Sequence, residues 1–174
     1  MSQSIDDFAA LLRSTKHSAA HLELRDVYDI GNETEGFRAW RDGHRLDPGD
    51  RARWWRPWLD LVQEVTGQGV SLRRARVVSE PPSEYIRYEH SFTFTNVVAG
   101  EDVRWLPRRE SSDLLLPGND FWLFDDRLLQ FNVFDGEGRW TSTEQTDDPA
   151  VVNACATAFE TVWKRAVPHA EYHI

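Results

Sequence analysis

Apolar positions along the chain recur at helical spacing in some stretches and alternate in others, and the switches between the two divide it into eleven elements. Ile5, Phe8, Leu11 and Leu12 share one face of a helix over Ile5 to Arg13, with Ser4 placed to cap it. His21 to Tyr28 alternates imperfectly and predicts a first strand closing at Gly31. Asn32 is then placed to cap a helix over Glu33 to Arg41, and Asp47-Pro48-Gly49 is a turn. From Asp50 to about Thr66, Trp54, Trp58, Leu61, Val62 and Val65 form one helical stripe. Pro57 either kinks that helix or opens one that begins near Arg56. Gly67 and Gly69 end it. Val70 to Ser79 predicts a strand in which Val70, Leu72, Arg74 and Arg76 share one parity and Arg73, Ala75 and Val77 the other.

Pro81-Pro82 forbids continuation of that strand, and Ser83 caps a helix carrying Tyr85, Tyr88 and Phe92 at helical spacing. Phe92 to Thr95 also alternates as a strand would. Gly100 supplies a left-handed stop, and Val103 to Leu106 is a short strand ended by Pro107. Phe121–Phe124, Leu128–Phe134 and Arg139–Glu144, joined by turns at Asp125-Asp126 and Asp135 to Gly138, read as a three-stranded meander. Asp147, Asp148 and Pro149 open a last helix with Lys164 and Arg165 near its end and Pro168 as its stop. Helices alternating with strands and then a meander predict an α/β fold, one domain over residues 1–174. A mixed sheet flanked by helices is expected, with residues 1–16 as an N-terminal helical arm.

Composition narrows the classes. The 174 residues suffice for one domain, and 40% apolar content with 8 Trp and 9 Phe is enough for a core. A net charge of −9 makes nonspecific nucleic-acid binding unfavourable. A single cysteine, Cys155, cannot form an internal disulfide. No zinc-type Cys/His spacing, signal-peptide pattern or membrane-length apolar run occurs, so a soluble cytoplasmic protein without metal or cofactor is expected.

Three constellations could carry chemistry. Between Phe37 and Trp58, six arginines stand against three aspartates with Trp40, Trp54, Trp55 and Trp58 interleaved. Such a segment could stack bases on Trp and Arg, or its tryptophans could be core with arginine stems covering them. Arg87, Glu89 and His90, followed by Asn96, Glu101 and Arg104, include the groups a general acid/base site requires. The same residues fit an amphipathic helix with local ion pairs. Asp120 and Asp125 bracket the apolar run Phe121 to Phe124 and could hold a divalent cation or orient a histidine, or could simply close a hairpin. Phosphate-loop, dinucleotide, serine-elbow and zincin motifs are absent.

The run Val-Val-Ser-Glu-Pro-Pro-Ser-Glu-Tyr-Ile-Arg-Tyr-Glu-His from Val77, with Asn96, Ala99-Gly100-Glu101, Val103 to Pro107, Pro117, Asn119 to Trp122 and Asp148-Pro149, resembles an actinobacterial family of unknown function. The resemblance spans nearly the whole chain. Members are often encoded beside helix-turn-helix regulators, which implies a regulatory setting and a protein partner, either that regulator or a sister protein. A more remote resemblance is to one half of a phospholipase D-type domain, where a strand ending in Asp-Asp precedes a hairpin. In that family's His-x-Lys-x-x-x-x-Asp motif, histidine and lysine stand seven and five residues before the aspartate. Counting back from Asp125 gives Gly118 and Asp120, so both groups are replaced. Phosphodiester chemistry through a phosphohistidine is then lost.

The resemblance therefore implies a non-catalytic module that binds a protein partner or small ligand, and, as a half-domain, a homodimer. Two alternatives stand beside it. One is an effector enzyme acting on a phosphoester or nucleotide, with a relocated site built from Glu89, His90 and Glu101, and with Arg87, Arg104, Asn96, Asp120 and Asp125 as ligand contacts. The other is a nucleic-acid-binding module working through the Arg/Trp segment.

Overall fold

In a computed structural model describing residues 5–29 and 33–174, the central strand β1 (Ser18–Glu23) is buried along almost its whole length because it has a neighbour on each side. It runs parallel to β2 (Ser71–Val78) and antiparallel to β4 (Asp120–Phe124). β3 (Asp102–Pro107) lies parallel to β2, and β5 (Leu128–Phe134) and β6 (Trp140–Thr146) extend the sheet from β4 as the expected meander. A two-residue strand, β7 (Val167–Pro168), closes the far edge against β3. The sheet is mixed, with seven strands in the order β6-β5-β4-β1-β2-β3-β7.

The helices are α1 (Ile5–Ser14), α2 (Glu33–Arg41), α3 (Arg51–Trp54), α4 (Pro57–Gly67), α5 (Glu84–Ala99) and α6 (Pro149–Arg165). Strand pleating gives the sheet two unlike faces. One carries Ala20, Leu22, Ala75, Val77, Leu106, Phe121, Leu123 and Leu129, packed under Val152, Cys155, Phe159 and Val162 of α6. On the opposite parity, Ala19, Leu72, Trp122 and Phe124 meet α1 and α4 at one end of the strands. Charged residues follow immediately on the same face: His21 pairs in register with Arg74, and Glu23 with Arg76. This is the face that α5 covers.

Several boundaries differ from those the sequence predicts, for local reasons. β1 begins at Ser18 and ends at Glu23, because the next amide, Leu24 N–H, turns out of the ladder to the Asp120 carboxylate. Pro57 takes the first position of α4 with Arg56 as its N-cap, so one stripe is shared by two helices, yet Trp54, Trp58, Leu61, Val62 and Val65 still meet in one core. Phe92 to Thr95 is helical, since α5 continues to Gly100, whose φ of 111° ends it. α6 stops at Arg165, before Pro168, and the chain turns into β7. Ser83 caps α5 as expected, accepting from Ile86 N–H. The expected roles of Ser4, Gly31 and Asn32 lie outside the described residues.

Gly100 combines two demands that other residues fail: the left-handed φ, and a site where a Cβ would stand 2.6 Å from Thr66 Oγ1. Gly100→Ala is expected to lower stability by about 1–3 kcal/mol in equilibrium denaturation, with the fold retained.

Candidate functional site

The charged residues of the sheet meet the inner side of α5 in one continuous network. Arg74 from β2 pairs with Glu23 and places Nε 2.6 Å from Glu101 Oε1, just before β3. Arg76 places Nε 2.6 Å from Glu23 Oε2 and Nη2 2.5 Å from Glu89 Oε2 on α5. Asn96 Nδ2 donates to Glu101 Oε2 (2.6 Å), and Arg56, at the start of α4, donates to Thr95 Oγ1 and Asn96 Oδ1 at 3.0 and 3.1 Å. Two arginines thus meet three glutamates, and a third arginine joins them through Asn96. Glu101 is 1% exposed, and Arg76 and Glu89 are 5% exposed, so the ion pairs are buried, while Arg56 at their margin is half-buried.

Burial and pairing set the protonation states. Burial pushes the Glu23 carboxyl up, but Arg76 and Arg74 outweigh it and hold the group at about 2. Burial likewise opposes the charge on Arg74, and Glu101 and Glu23 more than restore it, raising its pKa. His21 is stacked on Trp122 with ring centroids 4.1 Å apart, and neither ring nitrogen makes a hydrogen bond. Its Nδ1 lies 3.4 Å from Glu23 Oε1 without hydrogen-bond alignment. Burial first, then Arg74, drives His21 well below the ordinary imidazole value, so it is neutral.

The six acid/base residues singled out in the sequence are divided among three places. Glu89, Asn96 and Glu101 converge in the network. Arg87 and His90 lie on another side of α5, beside an open groove of about 410 Å³ that Ile174 also lines. Arg104 is on the α6 face of the sheet, its guanidinium 4.1 Å from the Trp163 ring centroid. The relocated constellation of Glu89, His90 and Glu101 therefore does not assemble into one site. Sequence reasoning missed Glu23, His21, Arg74 and Arg76 as partners of Glu89 and Glu101. The usable signal was His-x-Glu and Arg-x-Arg at strand parity in two adjacent strands.

Asp120 and Asp125 are occupied by the chain itself. Asp125 accepts from the backbone N–H groups of Lys16, His17 and Ser18 at 2.7–3.0 Å. With Asp126 it forms a left-handed turn, φ 51° and 50°. Asp120 accepts from Leu24 N–H (2.8 Å) and the Tyr28 hydroxyl (2.5 Å). Burial lifts the Asp120 carboxyl to about 6 despite the Tyr28 bond, with the nearby Glu23 charge adding to the lift. In the Arg/Trp segment, Trp54 is core, while Arg45 and Arg51 lie 4.6 and 3.6 Å from the Trp40 and Trp55 ring centroids. A guanidinium group thus already lies over one face of each of these two rings. Among the described residues no group of three or more His, Cys, Asp or Glu is arranged to hold a metal. No described helix is long and apolar enough to cross a membrane.

A family model described as domain of unknown function DUF6879 matches residues 6–174. The chain belongs to the DUF6879 family. No curated protein matches this DUF6879 chain in sequence. Solved structures share its fold at low identity. Nuc from Salmonella typhimurium, a phospholipase D family member, superposes with a TM-score of 0.51 at 9% identity, over 92% of this chain and 86% of its own. NucT from Helicobacter pylori gives 0.52 at 10% identity, over 94% and 89%. TrmBL2, an archaeal chromatin protein whose structure shows a novel mode of DNA binding, gives 0.50 at 12% identity, over 91% of this chain and 48% of its own. The DUF6879 chain is thus phospholipase D-like in fold, as the remote resemblance implied.

Two predictions follow from the buried acids. Glu23→Gln leaves Arg74 and Arg76 each short of a charged partner in a dry site, and an expected loss of about 3–5 kcal/mol is measurable by urea denaturation at pH 7. Asp120 has the opposite sign. Its folded pKa, about 6, lies above the ordinary 3.8, so its contribution is complete below pH 4 and is lost as pH rises through 6. The loss amounts to roughly 3 kcal/mol. In Asp120→Asn, stability measured from pH 4 to 7 should lack that decline.

Proposed function

We propose that this chain is a non-catalytic regulatory or interaction module that binds a protein partner or a small ligand, in a system that includes a helix-turn-helix regulator. The observation that carries the reading is the residue pair at the start of β4. Where the phospholipase D motif has its histidine and lysine, this chain has Gly118 and Asp120. Asp120 is a buried acid bonded to Leu24 N–H and Tyr28. An anionic phosphodiester is repelled where a lysine would attract it, and no imidazole stands where the phosphoryl group would be transferred.

The remaining titratable groups support the same reading. Glu23, Glu89 and Glu101 are engaged by Arg74 and Arg76 in the buried network, so their charges are spent on pairing within the chain. The likeness to an archaeal chromatin protein adds a second support, because that protein carries this fold within a chain about twice the matched length. The half-domain resemblance extends the proposal to a homodimer.

Purified protein should leave a model phosphodiester such as bis(p-nitrophenyl) phosphate unhydrolysed. Co-purification from the native host should return a regulator or sister protein that rebinds the purified chain in calorimetry. Turnover above background that disappears in His90→Ala would instead establish the enzyme reading. Sedimentation equilibrium tests the dimer: a mass of twice 20.2 kDa is expected, and a monomer at all concentrations removes that part of the proposal.

A further inference from the structure

Residues 167–174 fold back from α6 onto β3 and α5. β7 contributes two residue pairs to the sheet, and His169 N–H donates to Val103 O at 2.9 Å. Tyr172 stacks on Trp105, ring centroids 5.7 Å apart and nearly parallel, and its hydroxyl donates to Glu80 Oε1 (3.0 Å). Two histidines complete the contact. Trp105 Nε1–H donates to His169 Nδ1 at 3.2 Å, which places the proton of neutral His169 on Nε2. His90 Nε2 lies 2.9 Å from the Tyr172 carbonyl and so carries its own proton there. The two imidazoles are 4.7 Å apart, centroid to centroid.

We propose that this histidine pair is an acid-operated latch: a proton taken from solvent by His169 Nδ1 breaks the bond to Trp105 and releases residues 167–174, uncovering the edge of β3. A protonated Nδ1 would set one N–H donor against another, since indole has no lone pair to offer. The surrounding charge opposes protonation as well. Arg76 acts on both imidazoles, His173 acts on His90, and Arg87 shares the groove beside His90. Glu80 takes the Tyr172 hydroxyl and Arg109, Glu110 acts on Tyr172, Glu171 lies in the exposed turn after His169, and among the described residues no carboxylate forms an ion pair with His90 or His169.

Burial, then the neighbouring His90, hold His169 at about 4 while the segment is docked, and burial lowers His90 too. Once released, His169 returns towards its ordinary 6.5. Docking is therefore strongest above pH 6.5 and weakens as pH falls towards 4. From His169 alone, the opening constant rises about thirtyfold between pH 7.5 and 5.0. The exposed strand edge is a template for pairing with an extended segment of another chain. The latch stands on contacts separate from those supporting the interaction-module reading.

Hydrogen exchange of the intact chain, corrected for intrinsic rates, tests it at the amides of His169, Glu171 and Tyr172. Their opening constant should rise about thirtyfold from pH 7.5 to 5.0 while β1 amides keep their protection. In His169→Gln, whose side-chain oxygen still accepts from Trp105 but does not titrate, the rise should shrink to a few-fold. A rise below threefold in the parent, an equal rise in the variant, or a rise shared by β1 overturns the proposal. Should His169→Gln fail to dock at pH 7.5, the His169 titration in the parent decides by NMR: a midpoint below 6 supports the latch, and one at or above 6 overturns it.

Discussion

The pairing of Glu23 with both Arg74 and Arg76 is the constraint on which the rest of the molecule depends. It joins the two central parallel strands through side chains as well as backbone, and it does so where burial makes an unpaired charge very costly. A slip of β1 by one residue against β2 would carry Glu23 and His21 into the apolar layer beneath α6 and bring Leu22 among guanidinium groups. The network therefore reinforces the register that the apolar parity under α6 already favours. α5 is bound into the same arrangement through Glu89 and Asn96, so hydrogen-bond geometry fixes its rotation and height over the sheet alongside the apolar packing of Tyr85, Ile86 and Ala99.

Much of the fold was legible in the sequence. The meander from Phe121, the cap at Ser83, the stop at Gly100 and the last helix all depend on local chemistry, and local chemistry is what a sequence displays. Phe92 to Thr95 was ambiguous because alternation over four residues fits a strand or part of a helix, and only the length of α5 decides between them. The end of β1 was not legible, because a carboxylate nearly a hundred residues away, Asp120, removes Leu24 from the ladder.

The candidate site was legible by halves. Glu89, Asn96 and Glu101 were visible as an acid-rich group, and they do meet. Their cationic partners were visible only as a parity pattern in β2, since no local rule says which helix will cover that face. His90 looked like a member of the same group but sits one residue, and about 100° of helix rotation, from Glu89, which turns it towards Trp105 and the C-terminal segment. The architecture is phospholipase D-like. At the start of β4 the Asp120 carboxylate serves the backbone and a tyrosine.

The two unlike faces of the sheet have a consequence for how such a sequence can change over time. Under α6, aliphatic side chains touch one another without direction, so single exchanges of similar volume are absorbed by small shifts and the positions can drift independently. Under α5, every charge is another residue's partner, and a lone replacement strands its neighbour. Positions 23, 74, 76, 89 and 101 are thus tied to change together or not at all, and divergent members of the family should preserve this set as a unit while the opposite face is rewritten around it.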